Sequence, residues 1–331
     1  MKKVLIIFSL FLLISIQPIV AQETEILVVG TLHDVPKGIE HNYDSLLEMV
    51  LDWKPQTICT EYRKPKDSVS VKSVYGENIY LKMDSIARAE GISLKNAKQE
   101  ISKLYASLNQ KEDLKIRLKL RKWFRLTMDR GNFQYQSYLI FQHIKELDET
   151  SLVKLRKIHP DLKKVESFAK KNNTDEYWCL VFPLAQKLNI SYLHPTDDQS
   201  LATYYQEAWD GVEKDWKETE IQKAFDDFRS GILKQFEVEM PKGRAGFTVN
   251  SYGVQKNIFK LESGFYPRGI SKNTDLMSFY FTERNMNMTR NILEVVKPKQ
   301  RTAVFYGSSH VTPTCRQLKE NSPYKILRNG N

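Results

Sequence analysis

Cysteine is scarce in this 331-residue chain: Cys59, Cys179 and Cys315 are odd in number and far apart. That spacing excludes a disulfide framework and leaves buried or idle thiols, with at most one bridge, as the expectation. No CxxC pair, H-E-x-x-H helix, P-loop or G-x-G-x-x-G turn occurs, so the common zinc, nucleotide and dinucleotide signatures are missing. The G-x-S-x-G elbow is missing too, which counts against Ser308 or Ser309 as a nucleophile. Long apolar runs are confined to the start of the chain. Beyond it, no stretch approaches the ~20 residues of a bilayer span. No repeat of solenoid period is present.

The start itself reads as a secretory signal over residues 1–21. Lys2 and Lys3 precede an apolar run from Val4 to Ile16, interrupted only by Ser9 and Ser15. Pro18 breaks the run, and Ala21 supplies a small residue before Gln22. An uncleaved anchor is the alternative. No cysteine follows directly, so lipid attachment at a new N-terminus is not expected. The implied location is periplasmic or secreted, with no stable membrane span after signal cleavage.

Most of the formal net charge of +10 survives loss of Lys2 and Lys3. Much of it lies between Lys95 and Lys171, as in the run from Lys115 to Trp123. A nucleic-acid groove or an anionic-membrane surface is conceivable. Interspersed acidic residues and the absence of a binding motif favour a solvated helix face, and no nucleic-acid partner is expected.

Glu25–Gly30 is a short apolar run ended by glycine, and Thr57–Glu61 is a second. Between them, Leu46, Leu47, Val50 and Leu51 fall at helical spacing, closed by Pro55. Strand, helix and strand at this distance make a parallel βαβ unit. Residues 76–188 read as helices, broken near Gly91, Gly131, Pro160 and Asn172. They are expected to form a large insertion that covers the strand ends. A further strand is expected at Ile190–His194, and a glycine-punctuated loop over Pro241–Gly253. A long helix at Leu276–Val296, a strand at Thr302–Gly307, a last helix and a strand at Tyr324–Leu327 complete the chain. The fold class is α/β, a mostly parallel central sheet flanked by helices, forming one domain over residues 22–331.

Two strands end in the same way: Gly30-Thr31-Leu32-His33 and Gly307-Ser308-Ser309-His310. Glycine allows a sharp turn at a strand end, and ligands of parallel sheets bind outside the carboxyl ends of the strands. His33 and His310 are therefore candidate site residues. Gly38-Ile39-Glu40-His41 matches the spacing as well, but no strand precedes it. Glu61 ends the second strand at the level of His33 and can serve as base, orienting group or metal ligand; the bland alternative is an ion pair with Arg63. Arg284 falls on the apolar stripe of Phe281, Met288, Ile292 and Val295. A guanidinium there must be paired, to Glu61 or an oxyanion, unless it snorkels from the stripe's edge. His194, Asp197 and Asp198 follow a strand; helix capping is the better reading of the two aspartates.

With these motifs, the strand-end Glu61 and the Glu283-Arg284-Asn285 helix, the chain resembles the TraB/Tiki (GumN-like) superfamily. Related folds are the erythromycin esterase and ChaN-like haem-binding groups. The resemblance covers Glu25–Arg63 and Leu276–Leu327, and the second motif departs from the Gly-Ala-Gly-His often found there. It implies a hydrolase site on His33, Glu61 and His310 with Arg284 in support. In one branch a divalent metal is held by the histidines and the glutamate; another branch needs none.

The expectation is an exported hydrolase that cleaves an amide or ester bond of a small-molecule or peptide substrate. His33, Glu61 and His310 would be the ligands if a divalent metal takes part. A haem or small-ligand binding protein on the same fold is the alternative, and an inactive interaction protein a third. N-terminal mass analysis of exported material is expected to read Gln22; intact Met1 in a membrane fraction would refute the signal.

Overall fold

The structure, a computed structural model, describes residues 23–33, 39, 41–65, 72, 76–92, 94–110, 113–172, 174–259 and 271–328. The expected signal over residues 1–21 and the expected junction at Gln22 lie outside the described residues, as do Gly38 and Glu40. Among those described, no helix is long and apolar enough to cross a membrane.

Strand β1 (Glu25–Thr31) is buried along its whole length, and α1 (Asp44–Trp53) follows it. Strand β2 (Thr57–Arg63) then leads into a helical block. The block comprises α2 (Glu77–Ala89), α3 (Leu94–Gln110), α4 (Leu114–Leu126), α5 (Arg130–Lys145), α6 (Glu149–Ile158) and α7 (Leu162–Asn172). A π-helical turn (Tyr177–Val181) and α8 (Phe182–Lys187) close it. After β3 (His194–Asp197) come α9 (Ala202–Trp216), α10 (Glu220–Glu239), α11 (Ala245–Asn250), α12 (Tyr252–Phe259) and α13 (Lys272–Val295). Strand β4 (Arg301–Gly307), a 3-10 turn (Ser308–His310), α14 (Val311–Asn321) and β5 (Lys325–Arg328) end the fold.

The five strands form one parallel sheet in the order β3-β2-β4-β1-β5. Side-chain alternation explains why the inner strands are continuous apolar runs. Leu27, Val29, Ile58, Ala303 and Phe305 face a core shared with α1, α5 and the π turn. Ile26, Val28, Cys59, Val304 and Tyr306 face the other core, built on α13 and α14. Both faces being covered, the carboxyl edge is where polar groups can collect. The three thiols are free; Cys59 and Cys315 are buried.

Two expectations shift. The strand expected at Ile190–His194 is displaced to His194–Asp197, because Asn132 takes both backbone groups of Leu193 out of the sheet. Leu193 N–H donates to Asn132 Oδ1 at 2.9 Å, and Asn132 Nδ2 donates to Leu193 C=O at 2.8 Å. Pro195 is tolerated because β3 is an edge strand. The loop expected over Pro241–Gly253 instead contains α11 and the start of α12.

α11 has a task at the sheet. β5 pairs with β1 only as far as Val28, so Gly30 lies beyond its reach. Asn250 stands in for the missing strand: Gly30 N–H donates to its Oδ1 at 2.6 Å, and its Nδ2 donates to Gly30 C=O at 3.0 Å. A Cβ at position 30 would lie 3.0 Å from that oxygen and 2.8 Å from Val311, so glycine is required for the close approach. Asn250→Ala is expected to destabilise the fold by about 2–3 kcal/mol, since it strands buried amide groups. Chemical denaturation against wild type measures it.

Candidate active site

The carboxyl ends of β1, β4 and β2 lie side by side and carry His33, His310 and Glu61. Arg284 reaches the same point from α13. The four side chains proposed from sequence converge on one cluster with Glu61 at its centre. Glu61 Oε1 accepts from Arg284 Nη2 at 2.9 Å. Its Oε2 accepts from the Gly307 N–H and lies 3.3 Å from His33 Nε2. His310 Nε2 is 3.6 Å from Oε1. The Glu61 backbone is pinned as well, its N–H donating to Tyr177 Oη at 3.0 Å. Burial would push this carboxyl upward, but His310 when protonated, His33 and Arg284 hold it well below the usual range.

The two histidines sit in opposite environments. His33 is half exposed and lies between two carboxylates, with Nδ1 2.6 Å from Glu176 Oε1 and Nε2 facing Glu61. Neither carboxylate can donate, so both ring nitrogens carry protons. Burial works against that cation, yet hydrogen bonds and charge from Glu176 and Glu61 raise its pKa to about 11.

His310 is buried, its ring stacked on Phe281 at 5.2 Å between centroids. Its tautomer follows from a chain of contacts. Asn285 Nδ2 donates to Phe281 C=O at 2.7 Å, which turns Asn285 Oδ1 toward His310 Nδ1 at 2.9 Å. An oxygen acceptor there requires a proton on Nδ1 and leaves the lone pair on Nε2. Burial, together with the charges of Arg284 and His33, lowers this histidine to about 3. At neutral pH the pair is therefore one imidazolium and one neutral imidazole, with a carboxylate between them.

Arg284 is held at two points, by Glu61 and by Asp197, to whose Oδ1 its Nε donates at 2.9 Å. The sequence favoured Asp197 as a helix cap; the structure corrects this. Asp198 accepts from Ser200 N–H at 2.8 Å, while α9 begins at Ala202 without a side-chain cap. His194 opens β3 at the end remote from the site and is held down to about 4 by burial and the charge of Lys297. Glu176 and Asn285 had no role in the sequence reading. Glu176 immediately precedes the π turn, a feature that often marks functional sites. Asn285 was visible only as the residue beside Arg284.

A cleft of ≈ 500 Å³ lies over the cluster, with His33, Glu61, Arg284 and His310 on its floor. Its walls come from α9 and α10, through Trp209, Phe228 and Ile232 among others. The cover was expected from residues 76–188; instead the two helices that leave the carboxyl end of β3 provide it. The helical block contributes Glu176 and Tyr177 to a smaller polar cleft of ≈ 290 Å³ on the far side of His33.

No family model, curated protein or solved structure matches the chain. The chemistry rests on the geometry of the cluster. Among the described residues, no group of three His, Cys, Asp or Glu side chains is arranged to hold a metal ion. The donor set explains this. Both Glu61 oxygens already accept hydrogen bonds, both His33 nitrogens donate, and Arg284 puts a fixed positive charge at the carboxylate. The trio His33, Glu61 and His310 does not fit a divalent cation in this state.

The protonation states link stability to pH. His33 is raised from 6.5, so its contribution is complete below that pH and is lost as pH climbs toward 11. His310 is lowered from 6.5, so its contribution is complete above that pH and is lost as pH falls toward 3. Melting temperature is expected to peak near pH 6.5, and His310→Gln to flatten the acid side. Gly307→Ala sets a Cβ 2.6 Å from His33 Nε2 and 3.2 Å from Glu61 Oε2. It is expected to displace the His33 ring, read as loss of the high imidazole pKa by NMR titration.

Proposed function

We propose that this chain is an exported hydrolase of ester or amide bonds, of the kind its TraB/Tiki resemblance implies, working by acid–base catalysis. The observation that carries the reading is the opposite setting of the two histidines, His33 between the carboxylates of Glu176 and Glu61 and His310 buried against Phe281 and Asn285. Groups of one type whose environments drive their pKa values apart mark the acid and the base of a site. His310 Nε2 bears a lone pair, and a water donating to it and to Glu61 Oε1 is oriented for attack on a carbonyl carbon. As the water's oxygen bonds to that carbon, His310 takes its proton. The developing oxyanion draws on the N–H groups of Arg284 that border the cleft. The C–O or C–N bond then breaks, and His33 Nε2 delivers its proton to the departing oxygen or nitrogen. The proton left on His310 is then released to water in the cleft, and His33 recovers its own from the same water.

In this scheme Glu61 is not the base, because Arg284, Gly307 and His33 already engage its oxygens, whereas the Nε2 lone pair of His310 is open. Asn285 fixes the tautomer of His310, and Glu176 keeps His33 charged. A panel of p-nitrophenyl esters and chromogenic peptides provides the test. His310→Gln and His33→Asn are each expected to lower kcat/KM by about 10²–10⁴. Glu176→Gln is expected to bring the alkaline limb of the kcat/KM profile down by at least one pH unit. Activity that survives in the His33/His310 double variant, or an alkaline limb that does not move, would overturn the proposal.

A further inference from the structure

The flanks of the cluster differ in chemistry, and together with the acid–base roles this orients a substrate. The larger cleft extends from His310 and Phe281 along the inner faces of α9 and α10. α10 carries Ile221, Phe225, Phe228, Ile232, Leu233 and Phe236 at helical spacing, an apolar stripe of the kind that usually enters a core. Here only Phe236 of that stripe is buried; Phe225, Phe228, Ile232 and Leu233 are part-exposed and border the cleft. Trp209 of α9 faces the same space. Two amphipathic helices thus hold an apolar face open over a polar floor. The flank beyond His33 is the opposite: Arg63, Arg130, Asp175 and Glu176 line the small cleft there.

We infer that the substrate is the ester or amide of an apolar, medium-chain or aryl carboxylic acid with a polar alcohol or amine, its acyl group seated between α9 and α10. The inference rests on the hydrolase reading for its orientation. The leaving group must meet the acid, His33, and so lies toward the charged cleft. The carbonyl carbon must meet water at His310, and what remains of the acyl group then projects along Phe281 and Phe228. A volume of ≈ 500 Å³ is within the range that encloses a drug-sized group.

The test uses the full mature chain and p-nitrophenyl esters from acetate to decanoate, so that only the acyl group varies. kcat/KM is expected to rise by about fourfold per added CH₂ until the chamber is filled. Phe228→Asp, checked for folding by its melting curve, is expected to collapse the decanoate-to-acetate ratio toward one. If that variant does not fold, Ile232→Ala is read in the same way, with a smaller fall in the ratio. Binding of decan-2-one, which cannot be hydrolysed, is measured by calorimetry in parallel. Binding that Phe228→Asp abolishes, without turnover of any ester, supports the apolar site and refutes the hydrolase reading. Turnover indifferent to chain length, with no binding of decan-2-one, overturns the inference and leaves the hydrolase reading standing. Neither turnover nor binding overturns both.

Discussion

A buried carboxylate is tolerable only when its charge is answered, and Glu61 sets that demand for the whole carboxyl edge of the sheet. Two cations and a backbone N–H answer it, each from a different element: Arg284 from α13, His33 beyond β1, and Gly307 at the end of β4. Arg284 then needs a second anion, which Asp197 supplies from β3. His33 needs one too, and Glu176 supplies it from the edge of the π turn. The result is an alternation of charge, from Asp197 through Arg284, Glu61 and His33 to Glu176, that ties three of the five strands to two helical regions. His310 alone stays outside it. A neutral ring between Phe281 and Asn285 is what a buried histidine becomes when the neighbouring cations have no further use for its charge.

This arrangement explains why the sheet is so apolar elsewhere. β1, β2 and β4 spend their side chains on two cores, alternating between α1, α5 and the π turn on one face and α13 with α14 on the other. Polar chemistry is left to the residues just past or at the strand ends. Asn250, which completes the hydrogen bonding of Gly30 where β5 has already ended, shows how closely that edge is finished by helices inserted late in the chain.

Much of the architecture was legible because buried parallel strands leave a plain trace. The runs at β1, β2 and β4 have no competing reading, and glycine at the end of two of them pointed to histidines over the edge. Arg284 was legible for a different reason: a guanidinium on an apolar stripe requires an explanation, and Glu61 provides it. Glu176 was not legible, since an acidic residue among helices looks like any solvated one until a partner from β1 meets it. Asp197 misled because a strand followed by two aspartates and a helix is the usual setting of a cap. β3 was misplaced because side-chain hydrogen bonds from Asn132 compete with the sheet for Leu193, and such long-range competition leaves no local pattern. The covering helices were misassigned by length: the block of residues 77–187 is larger, but the shorter pair α9 and α10 leaves the strand edge where the site is.

The strand order carries a consequence for how the molecule comes into being. β1 and β2 are the first strands of the chain, yet they never pair with each other; β4, made near the end, lies between them. Until it arrives, Glu61 lacks its backbone donor, the two inner edges are unsatisfied, and His310 has not been synthesised. A ribosome therefore holds a chain with most of the fold but without the strand that completes the cluster. The cluster closes only when β4 takes its place between β1 and β2.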